Sequence, residues 1–233
     1  MESAGARLAK AAREAVALLV PVDCVGCAEP GIAVCSGCQV RMAGRPVCRE
    51  LEPGFAVWAG TEYTDVARRA ILALKNDQRT DVSSFLARVL LPAIDAAVDA
   101  MPVEPASGGV VTLAALPSTR AAFRRRGYRP VDVVVSRTPF RLEHPLAWRR
   151  QPGDQIGLGI GARQANLAGA LRARRTVTGR RFLLVDDVVT TGETLREARR
   201  AVVESGGVVG GAAVIAATPR LFTGASPRAH FAE

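Results

Sequence analysis

Two adjacent carboxylates, Asp186 and Asp187, follow directly on the apolar run Phe182-Leu183-Leu184-Val185. Each resists losing its water and each repels the other, so the pair belongs at the open end of a strand, facing ligand or solvent. Three residues on, Thr190-Thr191-Gly192-Glu193-Thr194 offers hydroxyls and a row of backbone N–H groups where an amphipathic helix opens near Glu193. The positive end of a helix and such a turn form an anion cradle. Acids beside that cradle suit a molecule with a phosphate at one end and sugar hydroxyls nearby. A Walker A loop is excluded because no lysine follows Lys75, and a dinucleotide fingerprint because Gly192 stands alone in its turn. An ordinary strand with a polar turn accounts for one acid and one threonine, not for the whole run.

A second set of chemical residues lies near the N-terminus: Cys24-x-x-Cys27, seven residues, then Cys35-x-x-Cys38. Each pair can bite a metal from one tight turn, and together they close a tetrahedral four-thiolate zinc site. Gly26 and Gly37 sit inside the two knuckles, where backbone bends are expected. Disulfides are the rival, but the only apolar stretch near the start, residues 15–22, is short and flanked by Glu14 and Asp23, unlike a secretion signal. A redox site needs one pair only, next to a βαβ unit. Cys48 is left over as a free thiol, and a cytoplasmic protein is expected.

The chain carries 31 Lys and Arg against 22 Asp and Glu, a net charge of +9. Within residues 120–181 there are 15 arginines and three acids, whereas Lys10 and Lys75 are the only lysines. Phosphorylated substrates and nucleic acid both fit such a surplus, as does a solvated basic face. With 233 residues, 48% hydrophobic and 23% charged, the chain has material for one α/β core and a small appendage. No apolar run approaches the length of a membrane span.

The elements that must position these residues follow from periodicity. Residues 2–19 read as a packing helix and 55–59 as a short strand. Residues 63–75 read as a helix with Val66, Ala70, Ile71 and Leu74 on one face and Lys75 at its end. A further helix over 82–100 is expected to kink or divide at Pro92, before a surface loop at 101–109. Residues 110–116 read as a buried parallel strand, leading into Pro117-Ser118-Thr119-Arg120 and then Phe123-Arg124-Arg125-Arg126-Gly127-Tyr128. Ligands of open α/β sheets lie beyond the carboxyl ends of the strands, so this loop and the acidic turn are expected to share a cleft. Pro130 starts a helix through residue 137, residues 140–161 form an irregular lid, residues 208–217 a last strand, and residues 218–233 a loose tail.

LLVDDVVTTGET resembles the signature of type I phosphoribosyltransferases, the fold that binds phosphoribosyl pyrophosphate. With LLVPVDCVGC and VCSGCQ ahead of it, the chain is similar to the competence protein F (ComF-like) family over residues 18–218. The resemblance implies an α/β type I phosphoribosyltransferase fold: a central parallel sheet with helices on both faces, a small hood and an N-terminal four-cysteine zinc module. It divides the chain into residues 1–50 (helix and knuckle), 51–220 (phosphoribosyltransferase-like domain) and 221–233 (tail).

It also implies that Asp186 and Asp187 grip the ribose hydroxyls, directly or through Mg²⁺, and that Thr190, Thr191, Gly192, Glu193 and Thr194 hold the 5-phosphate. Ser118, Thr119, Arg120 and Arg126 would face the pyrophosphate. Lys75, Arg124, Arg125 and Arg163 would serve another substrate or nucleic acid. Gln155, Leu158, Arg163 and Asn166-Leu167 match a family pattern in spacing. Where relatives show Pro-Val-Pro this chain has Ala115-Leu116-Pro117, and where they show Asn-Gln after the Arg-Gly-aromatic motif it has Arg129-Pro130. Two functions follow from the resemblance: a Mg²⁺-dependent phosphoribosyl transfer to an unknown acceptor, or a non-catalytic sensor of phosphoribosyl pyrophosphate that binds single-stranded DNA in DNA uptake or recombination.

Overall fold

The computed structural model of the chain describes residues 22–102, 110–151 and 167–219. The expected helix at 2–19, most of the loop at 101–109, the lid residues 152–161 with Arg163, and the tail from residue 220 lie outside them.

The sheet is organised around one strand, β7 (Arg181–Val189), whose first five residues are all buried. A strand covered on both faces reads as a continuous apolar run rather than an alternation, which is why the signature is preceded by Phe182-Leu183-Leu184-Val185. On one side it pairs in parallel with β8 (Val208–Ala217), and on the other with β3 (Val111–Ala115). Beyond β8 lies β2 (Phe55–Glu62), also parallel, and β1 (Val47–Glu52) closes that edge as the antiparallel arm of a hairpin. A two-residue strand, β4 (Leu142–Glu143), ends the sheet beside β3. The order is therefore β1-β2-β8-β7-β3-β4. β1 has no counterpart among the expected elements: Val47-Cys48-Arg49-Glu50-Leu51-Glu52 lacks a clean alternation, and no residue of it is buried.

Helices cover both faces. On one face α2 (Asp65–Asn76), α3 (Ser83–Asp99) and α5 (Pro130–Val135) bury Ile71, Leu74, Leu86, Leu90, Ile94 and Val134 against Leu183, Val185 and Ile215. On the other, α6 (Glu193–Glu204) buries Leu195, Ala198 and Val202 against Phe182, Leu184 and Val214. Of the kink or division expected at Pro92, division does not occur: α3 runs through it as one helix. Pro92 is exposed while Leu90, Ala93 and Ile94 are buried, so packing along the inner face outweighs the one backbone hydrogen bond that proline removes.

A separate antiparallel pair, β5 (Leu146–Trp148) and β6 (Leu171–Ala173), is the small hood of the expected architecture. It rests on α6 through the buried Leu146 and Leu171, and on the loop after β3 through Trp148 Nε1, which donates to the Pro117 carbonyl at 2.8 Å. The cysteine knuckle ends in a short helix, α1 (Ser36–Met42). Its Cys24, Val34, Cys35, Cys38 and Met42 join the same buried cluster as α2 and α3. Among the described residues no helix is long and apolar enough to cross a membrane.

Candidate functional site

The acidic pair does not end its strand. β7 continues past it, with Val188 and Val189 still paired to Ala216 and Ala217 of β8. What opens the site is the other flank: β3 stops at Ala115, opposite Val185, so the β3 side of Asp186 and Asp187 has no neighbouring strand. The acids occupy the gap where the chain leaves β3 and turns into α4 (Arg120–Arg126).

Asp187 Oδ1 lies 2.6 Å from Nζ of Lys75, in the last turn of α2, and the Asp187 N–H donates to Asp186 Oδ1 at 2.9 Å. Asp186 is pushed up to about 7 by its burial first and by the charge of Asp187 next, against the Asp187 N–H and the Lys75 cation. Lys75 is itself held from α4. Arg126 Nε donates to the Lys75 carbonyl at 2.8 Å, and the Tyr128 hydroxyl donates to the Leu74 carbonyl. These are carbonyls that a helix end leaves without intrahelical donors. The Arg-Gly-Tyr run therefore fixes the end of α2 and, through it, the cation facing the acids.

One cavity of about 190 Å³ gathers Lys75, Ser118, Thr119, Arg126, Asp186, Asp187 and Thr194, and includes Arg129 and Asp132. Thr119 caps α4, its hydroxyl accepting from the Ala122 N–H at 3.2 Å. Of the turn at residues 190–194 only Thr194 lines this cavity. Thr190 and Thr191 are exposed beside it, and among the described residues the N–H groups of residues 190–192 donate to no backbone carbonyl. Gly192 is left-handed, with φ of 81°, and a Cβ there would stand 2.8 Å from Leu51 Cδ2. The turn thus needs glycine twice over, for its conformation and for the approach of β1. Glu193 accepts from Arg196 Nη1 at 2.6 Å. Arg120 and Arg124 line a second cavity under the hood, and Arg125 is exposed and lines neither.

Several residues around the site have no role assigned from the sequence. Arg129, which stands where relatives carry an amide, lines both cavities. Its position after the Arg-Gly-Tyr motif was a signal that it could. Arg196 Nη2 donates to the Leu51 carbonyl at 2.8 Å and Arg199 pairs with Glu52, so α6 straps the end of β1 across the turn at residues 190–194. Glu197 is buried; it accepts from the Leu171 N–H at 2.8 Å while Arg200 Nη2 donates to the Leu171 carbonyl at 2.9 Å. The hood strand β6 is thereby pinned to α6. No local pattern announces contacts between residues 145 apart, as Leu51 and Arg196 are.

The four knuckle cysteines converge. Their sulfurs all lie within 4.8 Å of one another, with Cys24, Cys35 and Cys38 buried and Cys27 exposed. Burial works against ionisation of Cys24, but N–H groups of Cys35, Gly26 and Cys27 outweigh it and bring the thiol down to about 6. Cys38 is pushed up, by burial first and then by Cys24. Four sulfurs this close cannot all ionise without a cation among them, and the donor set is that of a closed structural zinc site. A Cβ on Gly26 would run into Cys38 Sγ, whereas one on Gly37 would meet nothing within 4 Å. Only the first knuckle glycine is required.

Sheet, helices and hood form the α/β architecture expected of a phosphoribosyltransferase-type domain, with a four-cysteine cluster built onto it. Residues 121–221 match the phosphoribosyl transferase domain. The chain is 26% identical to the DNA utilization protein YhgH of Salmonella typhi over 198 residues, which cover 78% of this chain and 83% of that protein. It is also 26% identical to YhgH of Escherichia coli K12 over 154 residues, covering 62% and 64%. The ComF-like resemblance thus stands on a phosphoribosyl transferase domain, on similarity to these DNA utilization proteins, and on the cysteine cluster.

Proposed function

We propose that the protein binds phosphoribosyl pyrophosphate with Mg²⁺ and transfers the phosphoribosyl group to an acceptor. The observation that carries this reading is the cavity that joins Asp186, Asp187 and Thr194 of one chain segment with Ser118 and Arg126 of another and Lys75 of a third. In it, Asp186 and Asp187 take the ribose hydroxyls, and the turn at residues 190–194 takes the 5-phosphate. Ser118, Thr119 and Arg126 face the pyrophosphate. Fixing the ligand at both ends leaves C1 of the ribose open to attack, and charge developing there is offset by the carboxylates.

Mg²⁺ fits the donor set: two adjacent carboxylates, only one of which has a cationic partner at hydrogen-bond distance among the described residues, offer hard oxygen ligands to a divalent ion. When bound, it would offset the charge of the diphosphate. Zinc at Cys24, Cys27, Cys35 and Cys38 would be structural, and the protein cytoplasmic. The test is calorimetric titration with phosphoribosyl pyrophosphate and Mg²⁺, on the wild type and on Asp187→Asn. A loss of tenfold or more in the variant, with its fold retained by circular dichroism, is expected; unchanged binding sinks the assignment.

A second reading is favoured by the similarity to DNA utilization proteins, and by the exposed Arg124 and Arg125, which have no acidic partner among the described residues. On it, the protein senses phosphoribosyl pyrophosphate without turnover and binds single-stranded DNA. Its affinity for a single strand would then fall steeply with salt and weaken in an Arg124→Ala, Arg125→Ala variant. Salt-independent binding excludes this reading.

A further inference from the structure

The larger cavity, about 440 Å³, lies between the loop after β3, α4 and the hood pair β5 and β6. Five arginines line it: Arg120, Arg124 and Arg129 from the α4 side, Arg172 and Arg174 from β6 and the residue after it. No acid is among its described lining residues. Two of the five are engaged elsewhere, Arg129 with Asp132 at 3.6 Å and Arg174 Nε with the Leu146 carbonyl at 3.1 Å. The guanidinium groups of Arg120, Arg124 and Arg172 have no partner among the described residues; the Arg120 backbone N–H donates to Gln151 Oε1 at 3.0 Å. Cations gathered on a concave wall without counter-charge concentrate an anion there, and the planar guanidinium matches carboxylate or phosphate in two-point contact.

The same cavity carries two aromatic rings. Trp148 is held in place by its bond to the Pro117 carbonyl, and Phe123 lies beneath the Arg129 guanidinium at 5.0 Å. A ring fixed in this way is a stacking surface that loses little freedom on binding. The volume suits one small molecule, since ligand pockets span about 300–1,000 Å³. Pro117, Ser118 and Arg129 line both this cavity and the one that holds the acids, so the two adjoin.

We propose that this second cavity binds a small aromatic anion, a ring bearing phosphate or carboxylate, with Arg120, Arg124 and Arg172 on the charge and Trp148 against the ring. That such a molecule is the acceptor rests on the phosphoribosyl reading above; that it binds does not.

The test uses the full-length protein and three probes that contain no ribose: phenyl phosphate, phthalate and, as the neutral control, benzyl alcohol. Binding is followed by calorimetry in wild type, in Arg124→Ala, Arg172→Ala, and in Asp187→Asn. Phenyl phosphate or phthalate is expected to bind at least tenfold more tightly than benzyl alcohol, and the better of the two identifies the anionic group. The double arginine variant is expected to lose that binding tenfold or more, while Asp187→Asn keeps it and loses phosphoribosyl pyrophosphate. Failure of both anions, equal binding of the neutral control, or an unaffected arginine variant overturns the proposal, as does binding of a single-stranded oligonucleotide with no response to either small anion. Anion binding in a protein that ignores phosphoribosyl pyrophosphate would instead retain this pocket and remove the acceptor role.

Discussion

Lys75 Nζ and Asp187 Oδ1 are 2.6 Å apart across 112 residues of chain, with side-chain exposures of 23% and 14%. The pair joins the end of α2 to the central strand and sets the charge of the site. Removing one partner leaves the other half-buried and unpaired, which costs on the order of 1–3 kcal/mol. Lys75→Met is therefore expected to lower the unfolding midpoint in urea, and to do so much less in an Asp187→Asn background. Additive effects in that double-mutant cycle would show that the contact contributes nothing.

The protonation of Asp186 links this site to pH. Its folded value, about 7, lies above the ordinary 3.8 because burial and Asp187 disfavour the charged form. Between those values the folded protein holds a proton that the unfolded chain has released, so stability falls as pH rises through this window and levels off above it. Asp186→Asn is expected to be more stable than wild type above pH 7, with the difference vanishing below the ordinary value. Melting temperatures measured across pH 4–8 check this, and a pH-independent difference contradicts it.

Tyr128 and Arg126 act on the site through the end of α2. Tyr128→Phe removes the donor to the Leu74 carbonyl and is expected to cost roughly 1 kcal/mol of stability. Because the end of α2 that carries Lys75 keeps only its bond from Arg126, the titration with phosphoribosyl pyrophosphate should weaken as well. A Tyr128→Phe protein with lowered stability but unaltered ligand binding would confine Tyr128 to a packing role.

Gly192→Ala meets two separate obstacles, the left-handed backbone and the Leu51 side chain. Backbone strain alone costs about 1–2 kcal/mol for a non-glycine residue. Adding Leu51→Ala is expected to recover the steric part only, so the double variant should remain less stable than Leu51→Ala alone by about that amount. Full recovery would mean that the φ of this turn is not constrained.

For the cysteine centre, about one equivalent of zinc is expected in purified protein by elemental analysis, and none in Cys35→Ser. Since the knuckle shares its buried cluster with α2 and α3, a chelator should lower the melting temperature of the whole protein. Metal-free wild type with an unchanged melting temperature would refute a structural zinc.

Much of this was legible in the chain because it is local. A continuous apolar run followed by two acids, a Thr-Gly turn and an amphipathic stripe specifies strand, anion turn and helix within residues 181–204, since each depends on neighbours in sequence. Two tight Cys-x-x-Cys turns likewise bring four sulfurs together with little help from elsewhere. The tertiary structure decided what lies between distant segments. Lys75 could have been an ordinary helix-end cation, and only the packing of α2 against β7 turns it toward Asp187. The site opens not because β7 ends at the acids but because β3 stops beside Val185. β1, with no buried residue to mark it, is held beside the turn at residues 190–194 by Arg196 and Arg199. Such contacts obey the same electrostatics and sterics as the local ones, but their partners are chosen by sheet order, which is settled by the burial of the whole core rather than by any short stretch of residues.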